Sequence, residues 1–287
     1  MRSLVGRALL YGRMIKFSHS VFALPFALAA AAIASGGAVP WRELPWIVLA
    51  MVGARSAAMG FNRLADHAID ARNPRTAARE LPRGLLSRGE VWLFVAVSVA
   101  ALVAAAAMLN PLCLALSPVA LAVVLGYSYT KRFTSLSHLV LGLALAIAPV
   151  GAWLAVRGRF AAAPIVLGLA VLFWVAGFDT VYACQDVDFD RREGLRSLPT
   201  RLGTRRALHV ARVLHALAVA LLAGLYVLVP LHPSYLAGVA VVAGLLAYEH
   251  SLVSADDLSR VDAAFFAVNG WISVGYLVFT VIAVRLA

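Results

Sequence analysis

Long apolar segments follow one another along almost the whole chain, separated by short polar stretches. A segment of about 20 apolar residues is long enough to cross the hydrocarbon core of a bilayer. About nine segments qualify, at residues 18–38, 46–66, 91–109, 111–128, 138–156, 164–184, 207–229, 234–250 and 265–285. Because a spanning segment must satisfy its own backbone polar groups, the pattern predicts an all-α integral membrane protein. We expect about nine transmembrane helices in a single bundle, forming one domain over residues 1–287.

The composition agrees with a membrane protein. Of the 287 residues, 62% are hydrophobic and 14% are charged, whereas soluble domains have about 45–50% and about 25%. The net charge of +11 would suggest nucleic acid in a soluble protein, but here it reflects basic cytoplasmic loops, so we expect no nucleic-acid partner. Two cysteines exclude a disulfide framework. The N-terminus lacks the pattern of a cleaved signal peptide.

The basic residues predict the orientation of the bundle. With the N-terminus in the cytoplasm and the C-terminus outside, 20 of the 25 lysines and arginines fall on the cytoplasmic side, and four fall outside. The remaining one, Arg55, lies within the second span. This bias is a strong positive-inside signal and favours an odd number of spans. We therefore expect a multi-pass protein of the cell inner (cytoplasmic) membrane.

Two acidic stretches end spans that run in the same direction. The first is "NRLADHAIDARNPRT", in which Asn62, Asp66 and Asp70 recur every four residues. The second is "DTVYACQDVDFD", with Asp186 and Asp190 at the same spacing. If helical, each set forms a row on one helix face. Because both rows lie at cytoplasmic span ends, the sequence predicts one polar site at the cytoplasmic face.

The acidic rows indicate a metal site for a phosphate compound. Carboxylates four residues apart repel each other and oppose the negative end of a helix dipole, so cations are needed to stabilise them. Mg²⁺ fits because it uses one or two carboxylates together with substrate phosphates. Basic side chains suited to a diphosphate lie nearby, namely Lys16, Arg75, Arg79 and Lys131. A lone aspartate here would be an ordinary interfacial charge, whereas two such rows on the same side favour the site.

Two ionisable residues lie deeper in the spans. Arg55 precedes Asn62 by seven residues, and Asp179 precedes Asp186 by seven, so each shares the face of its row. An ionisable group at that depth indicates function by default. We expect Arg55 to bind an anionic group, with a structural arginine as the alternative. Asp179 either pairs with Arg55 or accepts a proton.

These motifs resemble those of the UbiA superfamily of intramembrane aromatic prenyltransferases. The two acidic stretches are similar to the family's N-x-x-x-D-x-x-x-D and D-x-x-Y-A-x-x-D-x-x-x-D motifs. The basic loop "YSYTKRFT" and the first span "KFSHSVFALPFAL" are also similar, and the resemblance covers nearly the whole chain. Within the family, the stretches "FNRLADHAIDARNPRTAARELPRG" and "YEHSLVSADDLSRVDAAFF" look most like 4-hydroxybenzoate polyprenyltransferases of quinone biosynthesis.

The resemblance implies a role for each motif position. Two Mg²⁺ ions would bind a polyprenyl diphosphate through Asp66, Asp70, Asp186 and Asp190. Asn62 would assist the first pair, Lys131 would contact the diphosphate, and Arg55 would lie near the aromatic acid. Phe22, Phe178 and Tyr182 are candidates for the cavity wall, and Cys184 is expected to pack. The loops 67–90 and 185–206 are expected to fold over the site.

The predicted reaction is transfer of a polyprenyl group to a ring carbon of an aromatic acid, with membrane lipid around the enzyme. Either Asp179 or the released diphosphate would take the ring proton. Other family acceptors stay open: dihydroxynaphthoate, haem and glycerol phosphate. A secondary transporter would place polar groups near the bilayer midplane, so the clustering of polar groups at one face disfavours that class. A purely structural membrane subunit would not need two acidic motifs. No oligomeric state follows from the sequence.

Overall fold

The computed structural model describes residues 4–16 and 22–287, and within these ranges the chain is helical. The opening of the predicted first span, residues 18–21, lies outside the described residues. The helices are α1 Leu4–Met14, α2 Leu24–Ala34, α3 Leu44–Ala65, α4 His67–Arg72, α5 Arg88–Leu109, α6 Pro111–Gly126, α7 Ser137–Arg157, α8 Ala162–Ala183, α9 Val187–Arg192, α10 Leu198–Leu202, α11 Thr204–Leu228, α12 Ser234–Ser251, α13 Val261–Ala263 and α14 Asn269–Arg285.

The long helices confirm the predicted membrane architecture. Within the described residues, seven helical stretches are long and apolar enough to cross a membrane, and α2 is a shorter apolar helix. Together with α12, which occupies the predicted span at 234–250, these give nine apolar helices in the described part of the chain. Their bounds agree with the predicted spans because each run of apolar residues ends at a turn, such as the α5–α6 junction where the Asn110 side chain caps α6.

Helix α8 is the centre of the bundle. In its most apolar stretch 61% of the residues are buried, against 17–44% in the other six candidate spans. It packs extensively against α7 and α11, while α3 packs against α5. A polar network also joins it to the last helices: the Trp174 indole donates to Asn269 at 2.7 Å, and Asn269 donates to Glu249 at 3.0 Å. The helix that carries the second acidic motif is therefore held on several sides.

Glycines set the closest helix contacts. A Cβ on Gly142 of α7 would lie 2.3 Å from the backbone oxygen of Leu172 on α8. A Cβ on Gly53 of α3 would lie 2.8 Å from the backbone oxygen of Ser98 on α5. Small residues allow two backbones to approach this closely in a membrane bundle. These contacts fix the distances between the helices whose ends form the polar site.

Candidate functional site

Each acidic motif lies where a long helix ends and a short helix begins. Helix α3 stops at Ala65, and α4 starts after Asp66, which has φ −96° and ψ 7°. Helix α8 stops at Ala183, and α9 starts after Asp186, which has φ −102° and ψ 5°. Asn62, Asp66 and Asp70 therefore do not lie on one uninterrupted helix as their spacing suggested. The backbone bonds from Asp66 to Asn62 (2.9 Å) and from Asp70 to Asp66 (2.7 Å) nevertheless persist across the break.

The carboxylates of the first motif are both paired with arginines. Asp66 accepts from the Asn62 amide at 2.9 Å and forms an ion pair with Arg132 at 2.9 Å. Asp70 is buried, and both of its oxygens accept from Arg79, at 2.7 and 2.8 Å. Burial raises the pKa of Asp66 to about 6, with Arg132 acting in the opposite direction. A second cation beside Asp66 would favour its ionised form.

The basic side chains that pair with the second motif come from other parts of the chain. Arg75 binds both oxygens of Asp186, at 2.9 and 2.6 Å, and also donates to the Tyr182 hydroxyl at 3.1 Å. The Lys131 ammonium lies 3.7 Å from Asp190 Oδ2. That oxygen is buried and accepts no hydrogen bond from the described residues. An oxygen in this state is available to a hard cation.

Shared cations show that the two motifs face each other. Lys131 and Arg132 are neighbours in the 3₁₀ turn after α6, yet Lys131 contacts Asp190 and Arg132 contacts Asp66. Arg75 follows the first motif in sequence but binds the second. The structure thus gathers the predicted residues Asn62, Arg75, Arg79, Lys131, Tyr182 and all four aspartates at one end of the bundle.

The two polar loops are tied to each other and to the 3₁₀ turn. Arg72 binds Glu193 through two nitrogens, with a closest distance of 2.6 Å. The backbone nitrogen of Arg196 donates to the Lys131 carbonyl at 2.7 Å, and its side chain donates to the Phe133 carbonyl at 2.9 Å. The segment that carries the second motif is thereby held over the end of α6.

Arg55 lines a cavity of about 450 Å³ between α3, α6 and α7. Apart from Arg55 and Tyr127 at the end nearest the acidic motifs, the wall is almost entirely apolar, with side chains such as Met51, Leu116 and Leu141. The Arg55 guanidinium donates to the Lys16 carbonyl at 3.3 Å, and its buried Nε has no hydrogen-bond partner among the described residues. A buried donor without a partner at the end of a cavity is suited to an anionic ligand.

Asp179 has a different partner from the one considered first. Its Oδ2 lies 2.6 Å from Nδ1 of His138, so it pairs with a histidine of α7 and not with Arg55.

The structure places two of the aromatic residues predicted for the cavity wall elsewhere. Phe22 and Phe178 are buried and pack around Phe265, with ring centroids 5.7 and 5.2 Å from it, instead of forming the cavity wall. Lys16 lies over the Phe266 ring at 5.4 Å.

Three residues that contact the acidic motifs are not among the predicted site residues. Arg63 is buried and lies 4.0 Å from Asp70, Arg132 pairs with Asp66, and His138 pairs with Asp179. Arg132 belongs to the same basic loop as Lys131, so that loop is the signal for it. His138 stands just before an apolar run in "SLSHLV", where a histidine is usually an interfacial residue. The signal that could have found it is its place near Lys131 at the end of the same loop.

The donor set fits the magnesium ions that the acidic motifs imply. Within residues 4–16 and 22–287, no three side chains of histidine, cysteine, aspartate or glutamate lie close enough to enclose a metal. Each motif instead offers two carboxylates, and Asp190 Oδ2 is buried without a hydrogen bond. Mg²⁺ is commonly bound by one or two carboxylates, with substrate phosphates and water completing its shell. The fit is therefore to a metal that arrives with a phosphate-bearing substrate.

Fold and site together define a multi-pass α-helical membrane protein with a polar site at one end of an apolar cavity. Residues 23–272 match the UbiA prenyltransferase family, and the chain belongs to that family. It is accordingly a prenyltransferase.

Individual relatives and solved structures are also similar to this chain. The chain is 36% identical over 176 residues to a 4-hydroxybenzoate octaprenyltransferase of Albidiferax ferrireducens, covering 61% of this chain and 60% of that protein. It is 31% identical over 251 residues to one of Aliivibrio fischeri, covering 88% and 86%. A UbiA homologue from Aeropyrum pernix superposes with a TM-score of 0.84 at 34% identity, covering 92% of this chain and 97% of that one. A homologue from Archaeoglobus fulgidus, solved with DMAPP and Mg²⁺, has a TM-score of 0.74 at 22% identity, covering 96% and 99%.

Proposed function

We propose that the chain transfers a polyprenyl group from polyprenyl diphosphate to a ring carbon of an aromatic acid, 4-hydroxybenzoate, in quinone biosynthesis. The observation that carries the proposal is the junction of two elements: facing carboxylate pairs with their basic partners, and an apolar cavity that begins at Arg55. A diphosphate ester with a long hydrocarbon tail needs both. The names of the similar bacterial proteins support 4-hydroxybenzoate as the acceptor.

The charged residues are assigned to the diphosphate. Asp66, Asp70, Asp186 and Asp190 would hold Mg²⁺, which supplies charge neutralisation for the leaving diphosphate when bound. Arg75 and Arg79 offer planar forks suited to phosphate oxygens, and Lys131 and Lys16 offer ammonium groups. Asn62 orients Asp66 through its 2.9 Å hydrogen bond. Tyr182 does the same for Arg75 from the other side.

The cavity is assigned to the tail and to the acceptor. Its apolar wall shields an allylic cation from water, which would otherwise capture it. Arg55 would bind the acceptor carboxylate through its unpartnered nitrogen, which places the ring next to the reacting carbon. The carbon–oxygen bond of the donor breaks with its electron pair leaving on the diphosphate, and the ring carbon ortho to the hydroxyl forms the new bond. Asp179 is the candidate base for the ring proton.

The proposed setting is the cytoplasmic face of the inner membrane. The acidic motifs, Lys131 and Arg132 all lie at the bundle end that the distribution of basic residues assigns to the cytoplasm. The diphosphate head group of the donor and the aromatic acid would reach the site from that face, while the tail of the donor stays at the depth of the lipid. With the N-terminus inside, an odd number of spans leaves the C-terminus outside.

A prenyl-transfer assay tests the function. Wild type, Asp66→Asn and Asp186→Asn would be incubated in detergent or lipid with polyprenyl diphosphate, 4-hydroxybenzoate and Mg²⁺, and prenylated acid would be measured. We expect product with wild type and a loss in both variants, while Asp188→Asn retains activity because Asp188 is exposed between the two motif aspartates. Diphosphate release without prenylated acid would direct the search to dihydroxynaphthoate, haem or glycerol phosphate. Absence of both donor binding and release would refute the function and favour a transporter.

A further inference from the structure

His138 connects three elements of the site. Its side chain is fully buried at the start of α7. Nδ1 lies 2.6 Å from Asp179 Oδ2 on α8, and Nε2 lies 3.3 Å from the backbone nitrogen of Leu198, the first residue of α10. Helix α10 follows the second acidic motif in the polar stretch 185–206. A histidine in this position couples that stretch to Asp179.

The two contacts fix the tautomer of the ring. A backbone N–H can only donate, so the Nε2 that receives Leu198 carries a lone pair. The proton of the neutral imidazole is then on Nδ1 and is donated to Asp179. Asp179 is thus held by one oxygen, and its second oxygen stays available.

Asp179 lies within electrostatic range of both the acidic site and the end of the cavity that Tyr127 lines. Its side chain is 20% exposed, whereas that of His138 is fully buried. The charge of Asp179 acts on the Lys131 ammonium together with the charges of the motif aspartates. It also acts on Tyr127, which lines the cavity and is influenced by Arg55 as well. The available oxygen of Asp179 therefore lies in the region where donor and acceptor would meet.

We propose that His138 is a positioning residue that orients Asp179 as the base for the ring proton. The inference rests on the proposed function. Once the new carbon–carbon bond has formed, the proton on that ring carbon moves to Asp179 Oδ1, and the electron pair of the carbon–hydrogen bond restores the aromatic ring. Asp179 then releases the proton to solvent.

Two substitutions of His138 distinguish a residue that positions Asp179 from one that only caps α10. In His138→Asn the side-chain amide nitrogen stands near the place of Nδ1, so the donor to Asp179 is kept and the acceptor for Leu198 is lost. In His138→Gln the longer side chain reaches toward Leu198, so the cap is kept and the donor to Asp179 is lost. Ser137→Ala, in the same turn, is the matched control, because the buried Ser137 hydroxyl has no hydrogen-bond partner among the described residues.

The experiment measures kcat, donor KM and apparent melting temperature for the four proteins, with 4-hydroxybenzoate carrying hydrogen or deuterium at the ring carbons ortho to the hydroxyl. We expect His138→Gln to lose roughly tenfold to a hundredfold in kcat, a part of what a general base contributes. Its donor KM should stay unchanged, and deuterated acceptor should react more slowly because proton removal limits the rate. His138→Asn and Ser137→Ala should retain kcat.

Other outcomes overturn the inference. Full kcat in His138→Gln, or a loss in His138→Asn that follows melting temperature without an isotope effect, would assign His138 to capping α10 alone. In both cases wild type still forms product, so the proposed function would stand. A wild type that binds donor but forms no prenylated acid would instead remove the proposed function, and this inference with it.

Discussion

Replacing Gly142 by alanine should force α7 and α8 apart. The added Cβ would lie 2.3, 3.0 and 3.2 Å from the oxygen, carbonyl carbon and Cα of Leu172. All three atoms belong to the backbone, so a change of side-chain rotamer cannot relieve the contact. Since non-bonded heavy atoms rest at about 3.5 Å, the helices must separate locally by about 1 Å.

The cost follows from two opposing effects. Overpacking a well-packed interior costs about 1–3 kcal/mol, whereas replacing a helical glycine by alanine contributes up to about 1 kcal/mol in helix propensity. With the full helix-propensity gain, the net loss in the free energy of unfolding is about 0–2 kcal/mol. A Cβ added to Gly151, on the same helix, would meet no neighbouring atom within 4 Å. Gly151→Ala is therefore the matched control and should be neutral or slightly stabilising.

Activity should fall with stability in this case. His138 lies one helical turn before Gly142, and Asp179 lies two turns after Leu172, so a local separation lengthens the 2.6 Å contact between His138 and Asp179. Unfolding in detergent and kcat for prenyl transfer would be measured for both glycine variants. A Gly142→Ala protein as stable as Gly151→Ala and as active as wild type would refute the reasoning, because it would show that the close contact does not set the helix distance.

Three further predictions concern the charged end of the bundle. Arg75→Lys loses the two-pronged contact with Asp186 and should weaken donor binding by about 1.5–3 kcal/mol, measured as donor Kd, while Arg83→Lys at an exposed position should leave it unchanged. Burial lowers the pKa of Lys16 to about 8, so its ammonium attracts the diphosphate below that pH and is lost above it; donor affinity should fall above about pH 8, and Lys16→Arg should abolish that fall. Removing divalent cations with EDTA should stop product formation and added Mg²⁺ should restore it, whereas full activity in EDTA would contradict the role of the aspartates.

The sequence was sufficient to predict the spans and to place the main candidate site residues at one end of the bundle. A run of about 20 apolar residues has few alternatives in a membrane protein, so the predicted and observed helix bounds agree closely. The aspartates were recognisable because ionisable residues at span ends stand out in a chain with 14% charged residues. Their spacing alone placed Asp66 with Asp70, and Asp186 with Asp190.

Side-chain partners could not be predicted because they depend on where each helix breaks. Regular spacing suggested one continuous helix through Asp66, but the helix is interrupted at Asp66, between α3 and α4. The same holds at Asp186. Whether Arg55 or His138 meets Asp179 depends on how α3 and α7 are placed and rotated against α8, and α7 approaches α8 closely at Gly142. Sequence spacing contains no information on that placement or rotation.

The observed ion pairs explain how a cluster of four carboxylates is tolerated at the end of an apolar bundle. Each carboxylate has a different basic partner: Arg132, Arg79, Arg75 and Lys131 for Asp66, Asp70, Asp186 and Asp190. Removing one member of such a pair leaves an uncompensated charge, which costs more than the pair itself contributes. Asp186→Asn would thus release Arg75 as well as remove a ligand. A double variant with Arg75→Gln separates the two effects, because it should recover stability and not activity.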